Sequence, residues 1–298
     1  MGINRAIRTE RQMKALTGLS KKEFGELSQT FGKILKIKEK PIQKRQKGGG
    51  RKHSLKTADE KLFYIMMYLK CYPTFDVMGF YYQVDRAQTN RWVHELLPII
   101  EETLGKEIVL PERKIRSVEE FEQLYPEINQ VFIDGTERPT QRSSNNEKQK
   151  LEYSGKKKRH SKKNLIVSDD DKRILILTDT EVGSKHDYTL FKQSNMGDIL
   201  PAKVESILDS GFQGIKTDFP NLGVSMPTKK PKGGELSPLQ KLVNKRISKT
   251  RVVVEHAIGG AKRFNVVTDV YRSRKPKLDD TFMLLSCGLW NFHLKLSA

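Results

Sequence analysis

Two apolar runs of the sequence finish in an aspartate, Gln130 to Asp134 (QVFID) and Val204 to Asp209 (VESILD), and each is followed by a glycine-containing turn, Asp134-Gly135 and Asp209-Ser210-Gly211. Read as strands, they set two carboxylates at the rim of a sheet, where glycine lets a ligand approach the backbone. Hard oxygen donors of this kind suit Mg²⁺ or Mn²⁺, which take one or two carboxylates and leave positions for water and substrate phosphate. Asp-Gly is also an ordinary turn dipeptide, so the pair needs a third member before it reads as chemistry. Glu255 supplies one. Val252-Val253-Val254 favours strand by propensity, yet the surrounding apolar spacing (Leu239, Leu242, Val243, Ile247, Val254, Ala257, Ile258, Ala261) is helical. On that helix Ser248, Arg251, Glu255 and Lys262 fall within about 60° of arc and form one polar stripe. The bland alternative is an Arg251–Glu255 surface ion pair one turn apart; the apolar run around it points instead to a packed segment.

The elements that must position these groups follow from local signals. Ser237-Pro238 opens the Glu255 helix as an N-cap followed by proline at the first helical position. Leu165–Val167 and Ile174–Leu177 read as strands joined by the turn Ser168 to Lys172, which accounts for Asp169, Asp170 and Asp171 without invoking a site. A helix over Tyr188 to Ser194 and a short strand over Val224 to Met226 complete the second half. Upstream, Thr17 to Ile37 reads as a helix capped by Ser20, and Lys36 to Ser54 as a basic linker containing Gly48, Gly49 and Gly50. Between Leu55 and Leu104 the apolar spacing fits three helices, broken at Cys71-Tyr72-Pro73-Thr74 and around Gln83-Val84-Asp85. The third would present Arg86, Gln88, Asn90 and Arg91 near its N-terminal end, where a recognition helix meets base edges and phosphates. An ordinary three-helix bundle is the competing reading.

Composition narrows the partner. The 298 residues carry 55 Lys and Arg against 36 Asp and Glu, a formal charge of +19, and an excess of this size favours a polyanion. The two cysteines, Cys71 and Cys287, lack metal-clasping spacing. No hydrophobic signal core or membrane-length apolar run occurs, so an intracellular, soluble protein is expected.

The motifs VFIDGTERP, YSGKKKRH, GSKHDYTLF, LDSGFQG and RVVVEHAIGGAKRF, with the helical stretch ending RAQTNRWVHELLP, resemble those of DDE-superfamily insertion-sequence transposases, in particular the insertion sequence 5 family. The resemblance covers almost the whole chain. It implies an α/β fold, an RNase H-like mixed sheet flanked by helices and preceded by an all-α helix-turn-helix. The expected division is 1–54 for the helical element and basic linker, 55–110 for the helix-turn-helix and 111–298 for the catalytic domain. By resemblance Asp134, Asp209 and Glu255 are the catalytic, metal-binding carboxylates, holding two Mg²⁺ or Mn²⁺ ions across a scissile phosphate. Arg251 and Lys262 match the family's spacing around the glutamate, while Ser248 stands where tyrosine is often found; both cations would contact DNA. Lys156, Lys157, Lys158 and Arg159 form a basic stretch expected to touch DNA beside such a site, as do Lys229, Lys230 and Lys232 around Pro231. His186 and Asp187 belong to a family motif and are expected to support the active site. The implied activity is cleavage and transfer of double-stranded DNA at terminal inverted repeats, by a homo-oligomer without a membrane anchor, in the cytoplasm at the nucleoid of a bacterial host. The alternatives are a transposase-derived DNA-binding protein with catalysis unused, and an RNase H-like nuclease that cuts without joining.

Overall fold

The computed structural model describes residues 8–38 and 54–297, so most of the expected basic linker lies outside the described residues. The chain divides into two units, residues 1–110 with 263–269 and 291–298, and residues 111–262 with 270–290.

In the first unit, α1 (Glu10–Thr17), a helix that the apolar spacing did not announce, precedes α2 (Lys21–Lys38). Ser20 caps α2 as expected, and Glu23 reciprocates by accepting from the Ser20 amide. Next come α3 (Ala58–Cys71), α4 (Phe75–Tyr82) and α5 (Arg86–Lys106), the three expected helices. Thr57 and Glu60 make a capping box at α3, Thr74 caps α4 and Asp85 caps α5. Helix α5 runs through Pro98. Tyr64 lies buried among these helices, donates to the carbonyl of Thr89 at 3.0 Å and meets Trp92 and Tyr82 edge-on. The turn between α4 and α5 is tight: a Cβ at Gly79 would stand 2.7 Å from the carbonyl of Val84. Glycine at that position lets the turn close over α4.

The second unit begins with a short helix, α6 (Val118–Leu124), and is built on a mixed sheet. Its central strand is β1 (Gln130–Pro139). A short helix, α7 (Asn146–Glu152), and β2 (Tyr153–Ser154) lead into β3 (Arg159–Ser168), which runs antiparallel to β1 with Asp134 opposite Ile166. β2, β4 (Ile174–Leu177) and β5 (Glu181–Val182) all pair antiparallel with β3. After α8 (Asp187–Gln193) and the short α9 (Met196–Ile199), β6 (Glu205–Ile207) returns parallel to β1. Beyond α10 (Ile215–Asp218), β7 (Val224–Ser225) adds parallel to β6. Two long helices close the unit, α11 (Pro238–Ala261) and the first part of α12 (Leu278–Ser297).

Alternation along β1 sends Val131 and Ile133 to one face, into a core with Leu165, Val167, Leu175 and Phe191, and Phe132 to the other, against Val254 of α11 and Ile207 of β6. Three expectations need correction. β1 does not stop at Asp134 but continues to Pro139, and β3 begins at Arg159 rather than Leu165, because charged side chains alternate within a strand as readily as they fill a loop when ion pairs await them. The apolar run of α11 is not packed throughout: Leu239, Leu242 and Val243 are exposed, and only the stretch from Ile247 onward meets the sheet. The turn reading of Ser168–Lys172 holds. Asp169 accepts from the Arg173 backbone at 2.8 Å and from its guanidinium at 3.1 Å.

Candidate active site

The period of two that puts Phe132 under α11 puts Asp134 on the same face, and β6 repeats the device with Ile207 and Asp209. Asp209 stands two residues past the end of β6, so strand and carboxylate are separated by Leu208 rather than contiguous as expected. The two carboxylates converge on one guanidinium: Arg251 Nη2 lies 3.6 Å from Asp134 Oδ2, and Nη1 lies 3.6 Å from Asp209 Oδ1. Backbone amides add to this, with Gly135 N–H donating to Asp134 Oδ1 at 2.8 Å and Ser210 N–H donating to Asp209. Burial pushes the Asp134 carboxyl above its ordinary range; Arg251 and the Gly135 amide oppose that, while Asp187 and Asp209 reinforce it. The Arg251 side chain is 14% exposed and makes no hydrogen bond among the described residues, with a buried Nε that has no partner. A guanidinium held so loosely between two acids is an unsaturated centre.

Glu255 lies one turn beyond Arg251, next to the packed Val254, and is exposed. Arg251 turns to the aspartates, so the surface pair with Glu255 that its spacing permits is not formed. Among the described residues no three His, Cys, Asp or Glu side chains are gathered closely enough to hold an ion. Asp134 and Asp209 nevertheless fit a divalent cation by chemistry. Both are oxygen donors, part-exposed, and already share one positive charge.

Gly135 has a reason other than a turn. A Cβ there would fall 2.5 Å from the carboxylate of Asp187, which comes over the strand beside Asp134. Asp187 is in turn held by Lys163 at 3.0 Å, a nearly buried cation that also faces Glu137 at 3.5 Å and donates to the carbonyl of Lys185 at 2.7 Å. The motif pair His186-Asp187 is thus split. Asp187 reaches the candidate site, whereas His186 sits exposed at the N-cap of α8 without a capping hydrogen bond. Lys163 and Glu137 carried no sequence signal as long as β1 was ended at Asp134. Extending the strand alternation through Gly135-Thr136-Glu137 exposes it.

Lys262 caps the C-terminal end of α11, half-buried. Burial depresses its pKa, and the neighbouring Lys157, Arg159 and Arg138 depress it further, against a weaker opposing pull from Asp134. Lys156, Lys157 and Lys158 form the exposed turn between β2 and β3, and Arg159 begins β3.

In the first unit Arg86 and Arg91 are exposed on the opening turns of α5 and Gln88 and Asn90 partly so. Arg86 faces Asp76 at 3.8 Å, and Arg91 donates to Gln88 at 3.0 Å. Both are weak solvent-exposed contacts that a ligand displaces at little cost. No helix among the described residues is long and apolar enough to cross a membrane.

Two family models and a curated relative match the chain. Residues 53–106 match the family described as helix-turn-helix of DDE superfamily endonuclease. A probable transposase for insertion sequence element IS702 from Microchaete diplosiphon is 30% identical over 290 residues, 97% of this chain and 97% of that protein. No solved structure matches. Residues 133–291, which hold Asp134, Asp209 and Glu255 on a mixed α/β framework of RNase H-like type, match the DDE superfamily endonuclease family, and the chain belongs to the DDE transposases that carry a helix-turn-helix DNA-binding region.

Proposed function

We propose that this transposase binds the terminal inverted repeats of its own insertion sequence through residues 55–110, and that the region from 111 onward cleaves those ends and joins them to target DNA. The observation that carries the reading is the convergence of Asp134 and Asp209, from separate strands, on one guanidinium of the helix that bears Glu255. Asp134, Asp209 and Glu255 would hold two Mg²⁺ or Mn²⁺ ions, which would supply charge neutralisation for an in-line displacement at phosphorus. In that displacement the oxygen of water or of a DNA 3′-hydroxyl forms the new P–O bond as the bond to the departing 3′-oxygen breaks, so hydrolysis and strand transfer are one chemistry with two nucleophiles. Arg251, freed from the aspartates, grips a phosphate through two parallel N–H donors. Lys262, Lys157 and Arg159 take an adjacent phosphate, which relieves their mutual repulsion. Asp187, clamped by Lys163, keeps Asp134 oriented. Arg86, Gln88, Asn90 and Arg91 read base edges and backbone. The two ends of an element are held by a homo-oligomer, working at the nucleoid.

The test is a plasmid carrying candidate ends, incubated with full-length protein and Mg²⁺. Joined product is expected from the wild type. Asp134→Asn should bind ends without cutting or joining. A variant that still cleaves overturns the assignment, wild-type protein that binds without cutting marks unused catalysis, and cut but unjoined DNA marks a nuclease.

A further inference from the structure

From Pro238 to Thr250 helix α11 projects with almost every residue exposed, and Ile247 and Asn244 are its points of attachment. Asn244 binds the loop ahead of the helix, accepting from the Thr228 amide at 2.8 Å and donating to the Thr228 carbonyl at 2.9 Å. Loop and helix therefore form one body. Its charge is one-sided: Glu235 is the only acid between Asp218 and Glu255. Lys241, Lys245 and Lys249 recur every fourth residue and share one helix face, and Lys229, Lys230 and Lys232 sit on the tethered loop. Apart from the 3.4 Å contact of Lys241 with Glu235, none of the six has a carboxylate partner among the described residues. Like charges one turn apart destabilise an isolated helix, and this half of α11 has little packing to offset them. A negative surface opposite the stripe would relieve that repulsion.

We infer that the projecting half of α11, with the Thr228–Gly234 loop, is an arm that lies along the phosphate backbone of double-stranded DNA. The arm starts at Arg251, beside the carboxylates, and reaches about 20 Å outward at the α-helical rise of 1.5 Å per residue. That length spans about six base pairs at 3.4 Å each, so the arm holds the duplex that flanks the reacting phosphate. The exposed Leu239, Leu242 and Val243 on the same segment raise a second copy of the chain as a competing occupant. Self-pairing there would bring lysine stripes together without an intervening acid, and charge complementarity favours the polyanion.

The inference rests on the proposed reading only in taking DNA as substrate, and its test needs no cleavage. Binding of a random-sequence duplex to the full-length protein is followed by fluorescence anisotropy across a salt series. Replacing Lys241, Lys245 and Lys249 together by Gln should lower the slope of log affinity against log salt by about three, close to one for each phosphate left without its lysine. Lys203→Gln with Lys216→Gln, exposed lysines outside the arm, should leave the slope in place. An unchanged slope in the triple variant overturns the inference. So does a Leu239→Ser, Leu242→Ser variant that turns a dimer into monomers by sedimentation while the lysine variant binds as wild type. Failure of the arm leaves cleavage by Asp134 untouched, and failure of cleavage leaves the salt slope to stand or fall alone.

Discussion

The second unit contains two networks of arginine and aspartate that differ in how tightly they are bonded. Around Arg138 the guanidinium donates to the Asp279 carbonyl at 2.5 Å, Asn164 at 2.7 Å and Thr180 at 2.9 Å. Beside it Arg113 grips both oxygens of Asp280, at 2.9 and 2.7 Å, and Lys162 faces Asp279 at 2.9 Å. These bonds tie the start of α12 to β1 and β3 in the interior. Around Arg251 the contacts are 3.6 Å, the guanidinium makes no hydrogen bond among the described residues, and the Asp134 carboxyl is pushed upward. The first network holds its buried charges by short bonds, although Arg138 Nε and Arg113 Nη1 keep no hydrogen-bond partner, and removing one member would leave other charges buried. The second leaves polar capacity unused next to solvent, which is where a substrate finds its partners.

Substitutions at the two networks should fail in opposite ways. Glu255→Gln should cost at least about a thousandfold in strand cleavage, roughly 4 kcal/mol of barrier, with the melting temperature unchanged, because the side chain is exposed and has no ion-pair partner among the described residues. Single-turnover cleavage and calorimetry on the same preparation check both halves. Arg138→Met should do the reverse in kind, removing about 3–5 kcal/mol of stability by leaving the Asp279 carbonyl, Asn164 and Thr180 without their donor, read by urea denaturation. A smaller effect is expected where α11 is seated. A Cβ at Gly260 would run into the Trp290 indole, itself fixed by a 2.8 Å hydrogen bond to the Lys172 carbonyl, so Gly260→Ala should cost about 1–3 kcal/mol through overpacking. Smallest is a pH effect. Since the folded Asp134 carboxyl titrates above its unfolded value, the folded state holds the extra proton, and stability falls as pH rises from about 4 through the raised value. Asp134→Asn should flatten that decline in thermal melts; parallel curves for variant and wild type would refute the assigned burial cost.

Much of this was legible because local rules and tertiary packing agree. Ser237-Pro238 caps α11, Asp85 opens the third helix of the first unit, and Val252-Val253-Val254 is helical because Val254 packs against Phe132 and Ile207. Asp134-Gly135 misled, since the dipeptide spells a turn while the glycine serves the approach of Asp187 across a continuing strand. Leu239, Leu242 and Val243 misled in the opposite direction. Helical spacing of apolar residues shows which face they share but not whether a domain lies opposite it. Lys163 and Glu137 stayed hidden because a buried ion pair looks, in sequence, like any charged loop.

If Asp134 and Asp209 work as one pair, losing either carboxylate should stop the chemistry, and the direct measurement is single-turnover cleavage of an end-bound duplex by Asp209→Asn in Mg²⁺. Affinity for the end should be unaltered and cleavage lowered at least about a thousandfold. Cleavage within about tenfold of wild type, little more than 1.4 kcal/mol, would contradict the pairing.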